Sequence, residues 1–230
     1  MKFALVFLFP LLLSGSIKQP VEVTTTDRVA FAPGGTIRFS GSVGQLNVEG
    51  WDRPEVEISL TRYTERESVP AQREQVTKEL NLIHVSTTGQ GTKELVISTG
   101  MPSRSYFARL FDGRTKWNLD YRIRVPRDSK LVLEHDGGDL TVYDVAGDIE
   151  AHARHGSVML LLPDGQYSID ANCALGDVYS DFEGSTKRHV RGQSYVHEAA
   201  AGARKIDVHV GSGSIKILQM VKNAARAVAS

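Results

Sequence analysis

"GGDLTVYDVAGDIEAHARHGSVMLLLPDG", residues 137–165, carries one short pattern three times. Gly138-Asp139-Leu140, Gly147-Asp148-Ile149 and Gly156-Ser157-Val158 each join a glycine, a short polar residue and a branched apolar residue, nine residues apart. Gly35-Thr36-Ile37 and Gly44-Gln45-Leu46 repeat the unit at the same spacing, and Gly176-Asp177-Val178 and Gly213-Ser214-Ile215 add two more copies. Along a strand, alternate residues share a face, so Leu140 and Val142, or Ile149 and Ala151, point the same way. Glycine accepts φ > 0 without steric cost. A neighbouring Asp or Ser can bond a backbone N–H and hold a turn. Each unit therefore reads as a strand of about five residues plus a turn. One unit cannot bury its apolar face alone, whereas a stack of units makes a continuous core. The expected fold is all-β, an irregular β-solenoid or β-roll of short strands.

The rest of the chain extends this reading. Val21–Thr25, Glu55–Leu60, Glu94–Ile97, Leu119–Val125 and Leu131–Leu133 are rich in β-branched residues or alternate. Two stretches break the rhythm. Residues 68–83 read as one helical insert: Ser68 is an N-cap, Pro70 suits the first turn, and Val69, Val76, Leu80 and Ile83 share a face. Glu74 and Lys78 form an i,i+4 pair within it. Residues 218–229 place Leu218, Val221, Ala225 and Val228 at helical spacing, as a C-terminal helix or a frayed tail. Because a stack has edges, these helices are expected to cover an edge or an end.

Residues 1–16 have the pattern of a secretory signal: Lys2, an apolar run from Phe3 to Leu13 broken only by Pro10, then Ser14, Gly15 and Ser16. Eleven residues are too few for the roughly 20 of a bilayer-spanning helix. The remaining 17–230 form one expected domain, with no later stretch apolar enough to cross a membrane. Without Lys2, 26 basic residues face 27 acidic ones. That balance argues against a nucleic-acid partner. Cys173 is the only cysteine, so disulfides cannot staple the fold.

From Val125-Pro126-Arg127-Asp128-Ser129-Lys130-Leu131-Val132-Leu133 through the Gly-Asp-Leu/Ile and Gly-Ser-Val units to Gly213-Ser214-Ile215, the chain resembles the bacterial adhesin family also called the toast-rack domain. The Gly35 and Gly44 units and the 51–60 stretch fit it too. The resemblance implies a β-solenoid-like exported or envelope domain with no established catalysis.

Candidate chemistry is sparse. The calcium-binding nonapeptide roll shares the period, but here the second glycine and its aspartate are missing. Asp136, Asp139, Asp144 and Asp148 read as turn residues. His152 and His155 flank a strand end at odd spacing, on opposite faces, so no metal is expected. No Gly-x-Ser-x-Gly elbow, Walker loop or dinucleotide fingerprint occurs, no cofactor is expected, and Cys173 reads as a buried structural thiol. Residues 101–117 are different. They hold Tyr106, Phe107, Phe111 and Trp117, with Arg104, Arg109, Arg114 and Lys116 against Asp112. Arg and aromatic residues are favoured in binding hot spots. Arg104, Tyr106, Phe107, Arg109, Phe111 and Trp117 are thus the candidate partner-binding residues; the other reading folds the aromatics back onto the core. Gly35, Gly44, Gly138, Gly147, Gly156, Gly176 and Gly213 are the candidate structural turns. The expected function is an exported, non-catalytic binding or scaffolding protein of the bacterial envelope, in the periplasm or at the surface, contacting an envelope protein or a glycan. The alternative is a polysaccharide-active enzyme with carboxylates on one face.

Overall fold

The structure, a computed structural model, describes residues 20–64, 68, 70–91, 93–100 and 117–220. Strand makes up 68% of these residues, with one helix among them, so the described fold is all-β with one helical insert, as its patterning predicts. The building block is a bent rung. In β2 (Thr36–Val43) and β3 (Gln45–Trp51), the chain runs along one arm, turns at Gly44 and continues along a second arm. β8 (Lys130–Gly137) and β9 (Leu140–Tyr143) turn at Gly138. β10 (Ile149–Leu162), β11 (Tyr167–Ser180) and β14 (Arg204–Gln219) pass through Gly156, Gly176 and Gly213 without a break. The five rungs stack in parallel, and all five corner glycines have φ between +113° and +149°.

The nine-residue spacing thus has two alternating meanings. Gly44, Gly138 and Gly156 are mid-rung corners, whereas Gly35 and Gly147 precede rungs. Two units make one rung. At the corners, each glycine lies against the backbone of the next rung. A Cβ on Gly138 would strike the carbonyl of Gly44, one on Gly156 that of Gly138, and one on Gly213 that of Gly156. The polar residue after the glycine also acts between rungs rather than within its own turn. Asp139 Oδ1 accepts a hydrogen bond from the Ser157 N–H at 3.0 Å, and Asp148 Oδ1 one from Lys205 at 2.8 Å. In a stack, the nearest unpaired N–H belongs to the neighbouring rung.

Parallel register builds ladders of like side chains in the interior. Ile37, Leu131, Ile149, Ile206 and Ile169 form one, and Leu46, Leu140, Val158, Ile215 and Val178 another. Both belong to one apolar cluster between the arms. Cys173 lies in it beside Val210, and burial pushes its thiol pKa up. The stacking order departs from chain order: β14 inserts between β10 and β11. β13 (Gln193–His197) and β12 (Ser185–Arg188) then close that end of the first arm.

The second arm continues beyond β3 through β7 (Trp117–Pro126), β4 (Glu55–Thr64) and β1 (Glu22–Ala30). On the first arm, β6 (Glu94–Gly100) pairs with β2, and β5 (His84–Thr88) with β6. The helix α1 spans Pro70–Leu80 and carries the expected Glu74–Lys78 pair at 2.7 Å. Its Leu80 and the following Ile83 are fully buried, but Val76 is only half-buried. Buried Arg62 donates from Nη1 to the Ile83 carbonyl at 2.6 Å and from Nη2 to Thr25 Oγ1 at 3.0 Å, tying the helix end to the sheet. Leu218, expected to open a helix, lies instead in β14, where parallel pairing with Leu161 claims it. Residues 221–230 and the signal-like residues 1–16 lie outside the described residues.

Candidate functional site

Of the aromatic and basic candidates, only Trp117 falls within the described residues. It opens β7 opposite Thr64 and packs, partly buried, against the core. Arg104, Tyr106, Phe107, Arg109 and Phe111 lie outside them.

The first arm's outer face carries the richest set of functional groups. Residues between the inward ladders point outward, so each outward row crosses the whole stack. One row reads Ser40, Glu134, His152, His209 and Asn172 from β2 to β11. The next reads Arg38, Val132, Glu150, Asp207 and Asp170. Register places His152 directly beside His209. Their rings stack with centroids 5.3 Å apart and planes 4° from parallel. His152 Nε2 lies 3.2 Å from Glu150 Oε1, and His209 Nε2 lies 2.9 Å from Asp207 Oδ1. Each imidazole thus has a carboxylate two residues earlier on its own strand. Arg154 reaches Asp136 at 3.2 Å beside them. Glu134, Asp136, His152, Arg154, Asn172 and His209 line an open groove of about 450 Å3.

His155, read as facing away from His152, lies just before the Gly156 corner, opposite Ser212, and joins none of this. The true neighbour, His209, is 57 residues away, beyond any local motif. Among the described residues, no three His, Cys, Asp or Glu side chains are placed to hold a metal ion. The arrangement offers hydrogen-bond donors and acceptors in regular rows, with Asp136 already paired to arginine.

A different row faces outward on the second arm. Tyr143, Leu161 and Leu218 stand side by side, with Tyr143 exposed. Tyr179, opposite Lys216, is also exposed. Further along that arm, Trp51 donates from Nε1 to the Glu55 carbonyl at 2.8 Å. The Arg53 and Arg124 guanidiniums lie 5.1 and 5.8 Å from its ring centroid. Arg124 also bridges Glu49 and Glu57, each at 3.2 Å, and Arg28 meets Glu57 at 2.7 Å. This network fastens β1, β4, β7 and β3 and leaves Trp51 with its polar end satisfied.

No protein-family model matches the chain, and no curated protein matches it. Solved structures resemble it loosely. A candidate cell adhesion protein from Clostridium sporogenes ATCC 15579 shares 11% identity over 88% of this chain and 100% of that one, with a TM-score of 0.47. A candidate adhesin from Bacteroides fragilis NCTC 9343 shares 10% identity over 86% of this chain and 97% of that one, with a TM-score of 0.27. One from Parabacteroides merdae ATCC 43184 shares 9% over 84% and 77%, with a TM-score of 0.25. Likenesses at this level assign neither family nor function.

Proposed function

We propose that the chain is an exported, non-catalytic binding protein of the bacterial envelope whose first-arm groove takes a polyhydroxylated ligand, a cell-surface glycan. The observation that carries this reading is the groove of about 450 Å3, lined by Glu134, Asp136, Arg154, Asn172 and the stacked imidazoles of His152 and His209. Planar polar side chains on a rigid sheet present fixed donors and acceptors, the chemistry that hydroxyl groups need. A parallel stack also repeats the same row every ~4.8 Å, which suits an extended chain ligand. Export fits the signal-like residues 1–16. No helix among the described residues is long and apolar enough to cross a membrane.

The test is titration calorimetry of the protein against envelope polysaccharide fragments, with His209→Ala and Asn172→Ala alongside the native chain. Binding that either substitution weakens without lowering the melting temperature supports the reading. Release of reducing ends would overturn it in favour of a polysaccharide-active enzyme. No binding, together with a discrete protein captured by crosslinking in intact envelopes, would move the site to a protein partner.

A further inference from the structure

The edges of the sheet are treated unequally. Among the described residues, β12 ends one side with only four residues, Ser185 to Arg188, including Lys187 and Arg188. β5, also at an edge, has five. Short strands and basic side chains are common ways to blunt an edge. The second-arm portion of β11 is covered differently. Gly176 N–H donates to the Arg191 carbonyl at 3.1 Å, and Val178 N–H to the buried Gln193 Oε1 at 3.2 Å. β1, which ends the other side among the described residues, is longer and less defended, with Arg28 its one basic residue. Its nine residues, EVTTTDRVA, contain no Pro, Gly or Lys, and it is exposed along almost its whole length.

The hydrogen-bond phase of β1 shows which groups are free to pair. Thr64 N–H donates to the Val21 carbonyl at 3.0 Å, and Phe31 N–H to the Pro54 carbonyl at 3.1 Å. Odd-numbered residues therefore exchange bonds with β4, and Glu22, Thr24, Thr26 and Arg28 turn their N–H and C=O groups away from the sheet.

We propose that β1 is the docking edge for a second copy of the chain, paired antiparallel about a two-fold axis at Thr25. That register is self-complementary. Glu22 falls opposite the other copy's residue 28, an arginine, and Thr24 falls opposite residue 26, a threonine. The outward groups of the four even residues then form about eight backbone bonds across the axis. The contact is isologous, so it closes at two copies rather than growing into a fibre. Arg28 is already oriented by Glu57, at 2.7 Å on the same face. The backbone supplies the affinity, and the Glu22 and Arg28 charges select the register.

The experiment is sedimentation velocity from low to high micromolar concentration on the protein as its host processes it. Wild type is expected to show a reversible monomer–dimer equilibrium. Thr26→Pro removes an outward N–H and spares the ladder with β4, because proline is tolerated on an edge; it is expected to stay monomeric with unchanged circular dichroism and melting. Glu22→Arg sets two like-charged pairs across the axis and should weaken the dimer by about tenfold. Thr25→Cys should form an intermolecular disulfide rapidly, since residues opposite each other at a two-fold axis of this kind lie about 4.5 Å apart. A wild-type monomer at every concentration, a dimer untouched by Thr26→Pro, or a Thr25→Cys variant that fails to crosslink would overturn the proposal.

Discussion

A Cβ on Gly213 would fall 1.8 Å from the carbonyl oxygen of Gly156 on the adjacent rung, so there is no room for a methyl group between them. The same contact recurs from Gly156 to Gly138, from Gly138 to Gly44 and from Gly176 to Gly213. Gly213 also holds φ +149° and Gly156 φ +121°, where an L side chain is strained whatever the space. Gly156→Ala or Gly213→Ala should therefore cost roughly 3 kcal/mol or more, strain and collision acting together. Gly202→Ala is the control. It also has positive φ, at +91°, but nothing lies near its missing Cβ, so its cost should stay near 1 kcal/mol. Urea unfolding of the three variants checks the contrast.

Asp148 fastens the late-arriving strand. Its Oδ1 accepts from the Lys205 N–H at 2.8 Å, close to where β14 enters between its neighbours. Asp148→Ala should cost about 1 kcal/mol, since the group is partly exposed and water replaces part of the bond. Faster amide exchange at Lys205 would mark the loss as local.

Arg62 is buried, and burial lowers its pKa, yet it is held by a carbonyl and a hydroxyl. Arg62→Met should remove both bonds while keeping most of the packing, at a cost of about 2 kcal/mol. Amide exchange in residues 70–83 should accelerate more than exchange in β10. Equal acceleration in both would mean that Arg62 does not specifically anchor the helix.

Tyr121 sits edge-on to Phe39, with centroids 5.2 Å apart, and its hydroxyl lies 2.8 Å from Thr99 Oγ1. Burial raises its pKa to about 12, outweighing the Thr99 bond. An unfolded tyrosine titrates near 10. Between those values the folded state holds a proton that the unfolded state has lost. This contribution is therefore complete below about pH 10 and lost as pH climbs toward 12, on the order of 2 kcal/mol. Tyr121→Phe should flatten that alkaline decline when denaturation is followed from pH 9 to about 12. Tyr167 is shifted upward too, again by burial, so a smaller decline should remain.

The glycine spacing makes the strands and their inward faces legible in the sequence, because a two-residue alternation and a backbone-permissive residue are local properties. Counting residues does not separate Gly147, before a rung, from Gly156, within one, because the distinction is a φ angle. The position of β14 is not legible either. Ile206, Ile149 and Ile169 are nearly interchangeable ladder partners, and only the finished stack decides which rungs are neighbours. The groove was missed for the same reason. His152 meets His209 through strand register, and the His155 spacing pointed elsewhere. Leu218 reads as helical from its spacing with Val221, yet parallel pairing with β10 makes it strand.

Placing β14 between β10 and β11 has a consequence for how the molecule is made. When residues up to 180 have been synthesised, β10 and β11 each expose an open edge, and the strand that belongs between them lies more than twenty residues further along the chain. In the finished stack neither edge pairs with the other, because β14 holds them one strand apart. The fold is thus closed by a keystone that arrives late, bridging to β10 across 57 residues of chain. A chain stopped before residue 204 is left with a strand-wide gap through both arms, an open template for whatever extended peptide reaches it first.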